Sequence, residues 1–236
     1  MSQFLLAAGI VLVGGPLLAA PPAGVPEKYS LLYEQDLAAA DAMKDFTFTD
    51  PAAWKFAPDA KTPAMWLFQQ SEYKPPHRSP FNFALISGKK FGNAVVQANL
   101  CQDGREYPHR DMVVVFGYQN PAQFYYVHIA SARDDHANNI FIVNKADRVK
   151  ISKTSNDGNK WGAVDQWHTV RVERTVADGA IKVYFDDLKT PIMTAEDKTF
   201  GPGWVGFGSF DDTGKVAKVK VWGDKSEEAV VPKFGK

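Results

Sequence analysis

From residue 46 onward the chain alternates between short apolar runs and turn-forming residues. Runs rich in Val, Phe, Tyr and Trp recur at residues 46–48, 54–56, 65–70, 83–86, 94–101, 112–118, 124–130, 140–144, 168–174, 181–185, 204–210 and 216–222. Between them stand turn sequences such as Gln102-Asp-Gly, Ser155-Asn-Asp-Gly-Asn, Ala177-Asp-Gly and Asp211-Asp-Thr-Gly. Branched and aromatic residues favour strands, and Asn, Asp and Gly favour tight reversals. Many short strands without crossover helices predict an all-β, antiparallel two-sheet β-sandwich. No repeat of fixed period is present, which excludes a propeller or a solenoid. Residues 31–43 are Ala-rich and read as a short helix or as the lead-in to a strand.

Period-two alternation assigns faces. In residues 124–130, Tyr125, Val127 and Ile129 form a stripe suited to the core, leaving Phe124, Tyr126 and His128 on the other side. In residues 95–101, Val96, Ala98 and Leu100 make the apolar stripe and Gln97 and Asn99 share the opposite one. Polar and aromatic outer rows of this kind are how a sheet builds a ligand-binding face.

The ends read differently. Residues 1–20 form an apolar run followed by small side chains, the pattern of a cleaved signal peptide, with an uncleaved anchor as the alternative. Pro and Gly make residues 21–44 a linker and lead-in, residues 45–223 the jelly-roll domain, and residues 224–236 a frayed tail. The expected location is the periplasm or the extracellular space, with no membrane span in the mature chain. Cys101 is the single cysteine, so stability rests on the core without an intramolecular disulfide, and the thiol reads as a small buried hydrophobe. Lys plus Arg and Asp plus Glu both number 27, so no global field favours nucleic acid, and charge preferences are local.

The order of six segments carries a resemblance: Phe91-Gly-Asn-Ala-Val-Val-Gln-Ala-Asn-Leu, Val113-Val-Val-Phe-Gly-Tyr, Phe124-Tyr-Tyr-Val-His-Ile, Trp167-His-Thr-Val-Arg-Val-Glu-Arg, Ile181-Lys-Val-Tyr-Phe-Asp-Asp and Gly203-Trp-Val-Gly-Phe-Gly-Ser. Across roughly residues 45–223 the chain resembles the concanavalin A-like lectin/glucanase superfamily, and within it bacterial secreted 3-keto-disaccharide hydrolase-like domains. The resemblance implies a jelly roll with a polysaccharide or oligosaccharide on its concave sheet. The E-x-D-x-x-E signature of the laminarinase-type glycosidases is absent.

Two loops each place a His-Arg dipeptide shortly before a strand, Lys74-Pro-Pro-His-Arg-Ser-Pro and Tyr107-Pro-His-Arg-Asp. If they meet at one rim, Lys74, His77, Arg78, His109 and Arg110 form a cationic patch suited to carboxylate or sulfate, because Arg offers a planar donor fork. The structural alternative is that Arg78, Arg110 and Asp111 are ion pairs tying loops to the sheet. Tyr126 and His128 share one stripe, and an imidazole that accepts a proton beside a phenol that donates one suits a lyase. His128, Tyr126 and His109 are therefore the candidate catalytic residues, and Arg110, Arg78, His77, Lys74, Gln97, Asn99 and His136 the candidate substrate-binding ones. The plain alternative is that these side chains only pack and hydrogen-bond. His168, in line with Val170 and Val172, reads as structural.

No cofactor is called for. Calcium is conceivable at Asp134, Asp135, His136 and Asn139, or at Asp211 and Asp212, which offer hard ligands without a defined spacing. Asp111 with Asp134 or Asp135 is the only pairing that suits a two-carboxylate glycosidase. Ser79 and Ser131 lack a nucleophile elbow, and no glycine-rich phosphate loop precedes a helix. The expectation is an exported carbohydrate-active protein that binds and cleaves a polysaccharide by lyase or hydrolase chemistry; the alternative is a non-catalytic glycan-binding or surface-interaction module.

Overall fold

The computed structural model describes residues 21–58, 61–231 and 234, so the run read as a signal peptide lies outside the described residues. Two antiparallel sheets make the body. The nine-stranded sheet runs Ser152–Ser155, Met193–Glu196, Ala180–Phe185, His168–Arg174, Ala94–Gln102, Gly214–Gly223, Ala64–Leu67, Trp54–Ala57, with Ser30–Gln35 also paired to Gly214–Gly223. The seven-stranded sheet runs Val149–Lys150, Asn139–Asn144, Gln123–Ala130, Asp111–Asn120, Trp204–Ser209, Asn82–Ile86, Phe46–Phe48. A two-stranded ribbon joins Lys89–Phe91 to Ser226–Glu228. The chain is thus an all-β sandwich, as the alternation predicts.

The main core lies between the sheets. Val96, Ala98 and Leu100 of one meet Val114, Phe116, Tyr125, Val127 and Ile129 of the other, all buried. At roughly 1.5–3 kcal/mol for each large apolar side chain removed from water, such a layer suffices without a disulfide. Cys101 is buried, and desolvation pushes its thiol up to about 11, although Lys215 and the Asp165 backbone pull the other way. His168 faces the core side, bonded to Asp186 and to the Trp161 carbonyl and stacked on Phe185.

Strands also form where alternation gave no signal. Ser152–Ser155 and Val149–Lys150 are edge strands with little or no buried apolar stripe, and polar residues at an edge discourage further pairing. Ser30–Gln35 falls inside the stretch read as linker and lead-in, and of the helix alternative over 31–43 only residues 40–43 turn, at the start of the 3-10 helix Ala40–Asp45. Upstream of this strand, residues 21–29 lie as a strap on the outside of the nine-stranded sheet, where Val25 and Tyr29 pack on Val95 and Trp222. Gly24 sits there at φ +84°, and a Cβ at this position would lie 2.6 Å from Arg171 Nη1.

Candidate functional site

The expected ligand face is split by the topology. Ala94–Gln102 belongs to the nine-stranded sheet and Gln123–Ala130 to the seven-stranded one. Since both strands turn their apolar stripes toward the shared core, their outer rows point to opposite sides of the sandwich. Gln97 and Asn99 therefore do not meet Tyr126 and His128, which corrects the common face expected from alternation.

On the seven-stranded sheet the outer face is apolar and covered. Phe83, Leu85, Val113, Val115, Tyr118, Phe124, Tyr126, Phe141, Val143 and Trp204 form a second buried cluster with Val231, and Ala229 and Phe234 of the C-terminal tail pack against it. Tyr73 adds its ring to Phe234 at 5.5 Å. Tyr126 is 0% exposed and His128 3%, so the jelly-roll tail and the 71–81 segment shut this row away from solvent. The Tyr126 hydroxyl accepts from Arg148 Nη1 at 2.9 Å, and burial raises its phenol although Arg148 opposes the shift. His128 Nδ1 accepts from the Asn138 N–H at 3.3 Å, which leaves the proton on Nε2, 3.6 Å from Asp111 Oδ2. Burial first, then the Arg148 and His109 charges, lower its imidazole to about 3 against a slight opposing pull from Asp134. His128 is neutral at ordinary pH.

The two His-Arg loops also part company. Arg110 is a buried peg: it donates to Gln102 Oε1 and to the Glu106 carboxylate, and reaches the Gly162 and Gln102 carbonyls at 2.8 and 2.9 Å. That is the ion-pair alternative for this residue, and it withdraws Arg110 from the cationic patch. His109 and Asp134, both about half exposed, bond at 2.5 Å on the rim. Burial works against the Asp134 charge, but the His136 N–H and His109 outweigh it and hold the carboxyl below its usual range. His136 is exposed beside them. Lys74, His77 and Arg78 lie on the 71–81 segment, with Lys74 and Arg78 exposed and His77 half-buried.

Of the acidic runs, the structure brings Asp211 and Asp212 to Asp111, with carboxylate oxygens of the three within 4.8 Å of one another. Asp111 is fully buried and accepts from Ser209 Oγ at 2.8 Å and Phe210 N–H at 3.0 Å, while Asp212 Oδ2 accepts from Tyr107 at 2.8 Å and Asp111 N–H at 3.1 Å. Desolvation, then the Asp212 charge, raise Asp111 well above the carboxylate range, and burial raises Asp212 as well. Asp111 and Asp212 thus each accept two hydrogen bonds, and two raised carboxyls this close together suit a shared proton. In the other run Asp135 bonds Lys150 at 2.6 Å and the Asn139 side-chain N–H groups donate to the Asp134 and Ala137 carbonyls.

On the outer face of the nine-stranded sheet Gln97, Glu173 and Lys182 stay at least partly accessible, while Arg171 and Tyr184 beside them are buried. Antiparallel register places Gln97 opposite Arg171, and Arg171 opposite Tyr184. Arg171 closes a fork on Gln97 Oε1 at 2.9 and 3.1 Å and donates to the Ala23 carbonyl of the strap at 3.0 Å. Tyr184 donates to Glu173 Oε2 at 3.2 Å. Together with Lys182 and Asp186 these residues line an open groove of about 760 Å³, walled by residues 22–24 on one side and residues 187–189 on the other. Because Gln97 uses only its oxygen, its two amide N–H groups remain for a ligand. Arg171 escaped the sequence reading, although the alternation of Thr169, Arg171 and Glu173 puts it on the same outward row.

Neither a protein-family model nor a curated protein matches the chain. Solved structures do. Carbohydrate-binding module CBM66 from Bacillus subtilis superposes with a TM-score of 0.52 at 14% identity, over 74% of this chain and 93% of that one. A Bacillus subtilis protein of unknown function with a galectin-like fold gives 0.53 at 10% identity, over 86% and 100%. A GH43 protein from Bacillus licheniformis gives 0.52 at 10%, over 89% of this chain and 41% of that one. At such identities the likeness concerns architecture, and with the two-sheet topology above it makes this chain a concanavalin A-like jelly roll.

Proposed function

We propose that the chain is an exported glycan-binding jelly roll that holds a saccharide in the groove over Gln97, Arg171 and Tyr184, without cleaving it. The observation that carries the reading is the groove itself: about 760 Å³, with donors and acceptors fixed to one another on rigid strands. A saccharide needs an array of oriented hydrogen-bonding groups, and preorganised ones cost little entropy on binding. Binding without cleavage follows from the burial of His128 and Tyr126, because an acid/base pair must reach the substrate. The carbohydrate-binding module among the structural neighbours agrees with a sugar ligand. Export rests on the N-terminal apolar run and on the module's fold, and no helix among the described residues is long and apolar enough to cross a membrane.

The test is calorimetric titration with a panel of neutral and uronate-containing oligosaccharides, followed by assays of the same mixtures for reducing ends and for unsaturated product. The expected result is saturable binding with neither product. Gln97→Ala removes two N–H donors and frees Arg171, so affinity falls about tenfold, on the order of 1.4 kcal/mol. Cleavage products, or a Gln97→Ala variant that binds as tightly as the parent, would overturn the reading.

A further inference from the structure

On the opposite sheet one arginine packs over two aromatic rings. Arg148 lies in the turn between Asn139–Asn144 and Val149–Lys150, and its guanidinium carbon is 4.9 Å from the Phe141 ring centre and 4.3 Å from that of Phe210. One N–H goes to the Tyr126 hydroxyl at 2.9 Å, out of five that a guanidinium carries. Elsewhere Arg110 is paired with Glu106 and Arg133 with Asp157. Arg148 has no carboxylate partner among the described residues, and neither has Arg78.

These two arginines are held together by the backbone. The Arg148 N–H donates to the Arg78 carbonyl at 3.1 Å, and the Arg78 N–H donates to Asp147 Oδ1 at 3.0 Å. The 71–81 segment is thus pinned to the turn that carries Arg148. Beside them Phe210 and Phe81 pack edge to face at 6.1 Å and both remain partly exposed. The arrangement joins an oriented, partly dehydrated cation with free donors, a second exposed cation, and two partly open aromatic rings.

Covering the rings does not require that charge. Any long apolar side chain would cover Phe141 and Phe210, whereas a guanidinium buried against them pays desolvation for its charge. Stacking fixes the plane of the fork in advance, so an arriving anion gains a two-point bond at little orientational cost. The partly exposed faces of Phe81 and Phe210 beside a cation suit the apolar C–H side of a sugar ring.

We propose that Arg148 and Arg78 form a second binding site, on the outer face of the seven-stranded sheet, for the carboxylate or sulfate group of an acidic sugar seated against Phe210 and Phe81. It is distinct from the groove over Gln97 and stands or falls separately. Part of the cationic patch expected from Lys74-Pro-Pro-His-Arg-Ser-Pro survives here, with Arg148 in the place expected for Arg110.

The experiment uses the full chain and four probes: digalacturonic acid, a sulfated disaccharide, a neutral disaccharide of equal size, and sodium sulfate alone, each followed by NMR through the Arg148 side-chain Nε–H. The expected result is that the acidic sugars shift this signal and bind at least tenfold tighter than the neutral one, with affinity falling as salt rises. Arg148→Lys keeps the charge but loses the fork and should weaken acid binding about tenfold. Arg78→Gln, at an exposed position, should weaken it about threefold to tenfold and serves as the test should Arg148 variants fold poorly. Sulfate alone binding as tightly as the acidic sugars supports the anion site but removes the sugar as its ligand. Equal affinity for acidic and neutral probes, or unchanged acid binding in both Arg148→Lys and Arg78→Gln, overturns the proposal. Neutral-sugar binding at the groove is followed in parallel through the Gln97 side-chain amide signals, so failure of one site is seen apart from failure of the other.

Discussion

The two outer faces of the sandwich differ in what covers them. On the nine-stranded sheet the outward row of Gln97, Arg171, Glu173 and Lys182 meets a thin strap and leaves a groove open. On the seven-stranded sheet the outward row is Phe83, Tyr118, Phe124, Tyr126 and Phe141, and the chain lays its own tail over it. The first face needs only the strap over Val95 and Trp222, while the second without its cover would expose a contiguous aromatic patch. One face thus carries a narrow strap beside an open groove, and the other a cover laid over an aromatic row.

The sharpest way to break that contrast is to delete a large side chain from the covered face. Phe83, 1% exposed, contacts Tyr118, Phe124 and Phe234, so Phe83→Ala should cost about 3–5 kcal/mol in urea unfolding. Lys182→Ala on the open face should stay within about 0.5 kcal/mol. Similar losses at both positions would abolish the distinction.

Of similar size is the pH response. The imidazole of His128 is lowered to about 3 in the folded chain, whereas an unfolded one titrates near 6.5. Below about pH 6.5 the unfolded state takes up a proton that the folded state refuses, so this group's stabilising contribution is present above that pH and is lost as pH falls toward 3. The expected loss is on the order of 4–5 kcal/mol by linkage. Asp111 runs the other way: its raised carboxyl keeps a proton in the folded state, so its contribution is present at low pH and fades as pH rises through the raised value. Denaturant midpoints measured against pH should flatten on the acid side in His128→Gln, and an unaltered slope would show that His128 is not the titrating group.

The smallest effect belongs to the strap. Gly24→Ala places a methyl group 2.6 Å from Arg171 Nη1 at a positive φ, so it should cost about 1–2 kcal/mol and weaken sugar binding at the groove. The acid-binding signal of Arg148 should not move. A coupled loss at both sites would mean that the two faces communicate.

Much of the architecture was written in the alternation. Twelve apolar runs became strands because each carries a stripe that must be buried; of the strands that escaped notice, Ser152–Ser155 is an edge strand with little to bury, while Met193–Glu196 buries only Met193 and Ala195 and so shows too short a stripe to be read. The sites were less legible. Alternation separates inside from outside, but it does not assign a strand to one sheet or the other, so Gln97 and His128 looked like neighbours while facing opposite ways. Arg110 looked like a ligand because its loop is cationic, and its burial depends on Gln102 and Gly162, which pattern alone does not bring near. Arg148 sits in a polar turn without local signal, and only folding puts Phe141 and Phe210 against it.

The pairing of Ser30–Gln35 with Gly214–Gly223 has a consequence in time. Ser30 lies opposite Gly223, and Gly214–Gly223 also flanks Ala94–Gln102 and Ala64–Leu67. A ribosome must therefore deliver nearly the whole polypeptide before the sheet can close around that strand, and such distant pairing makes folding slow.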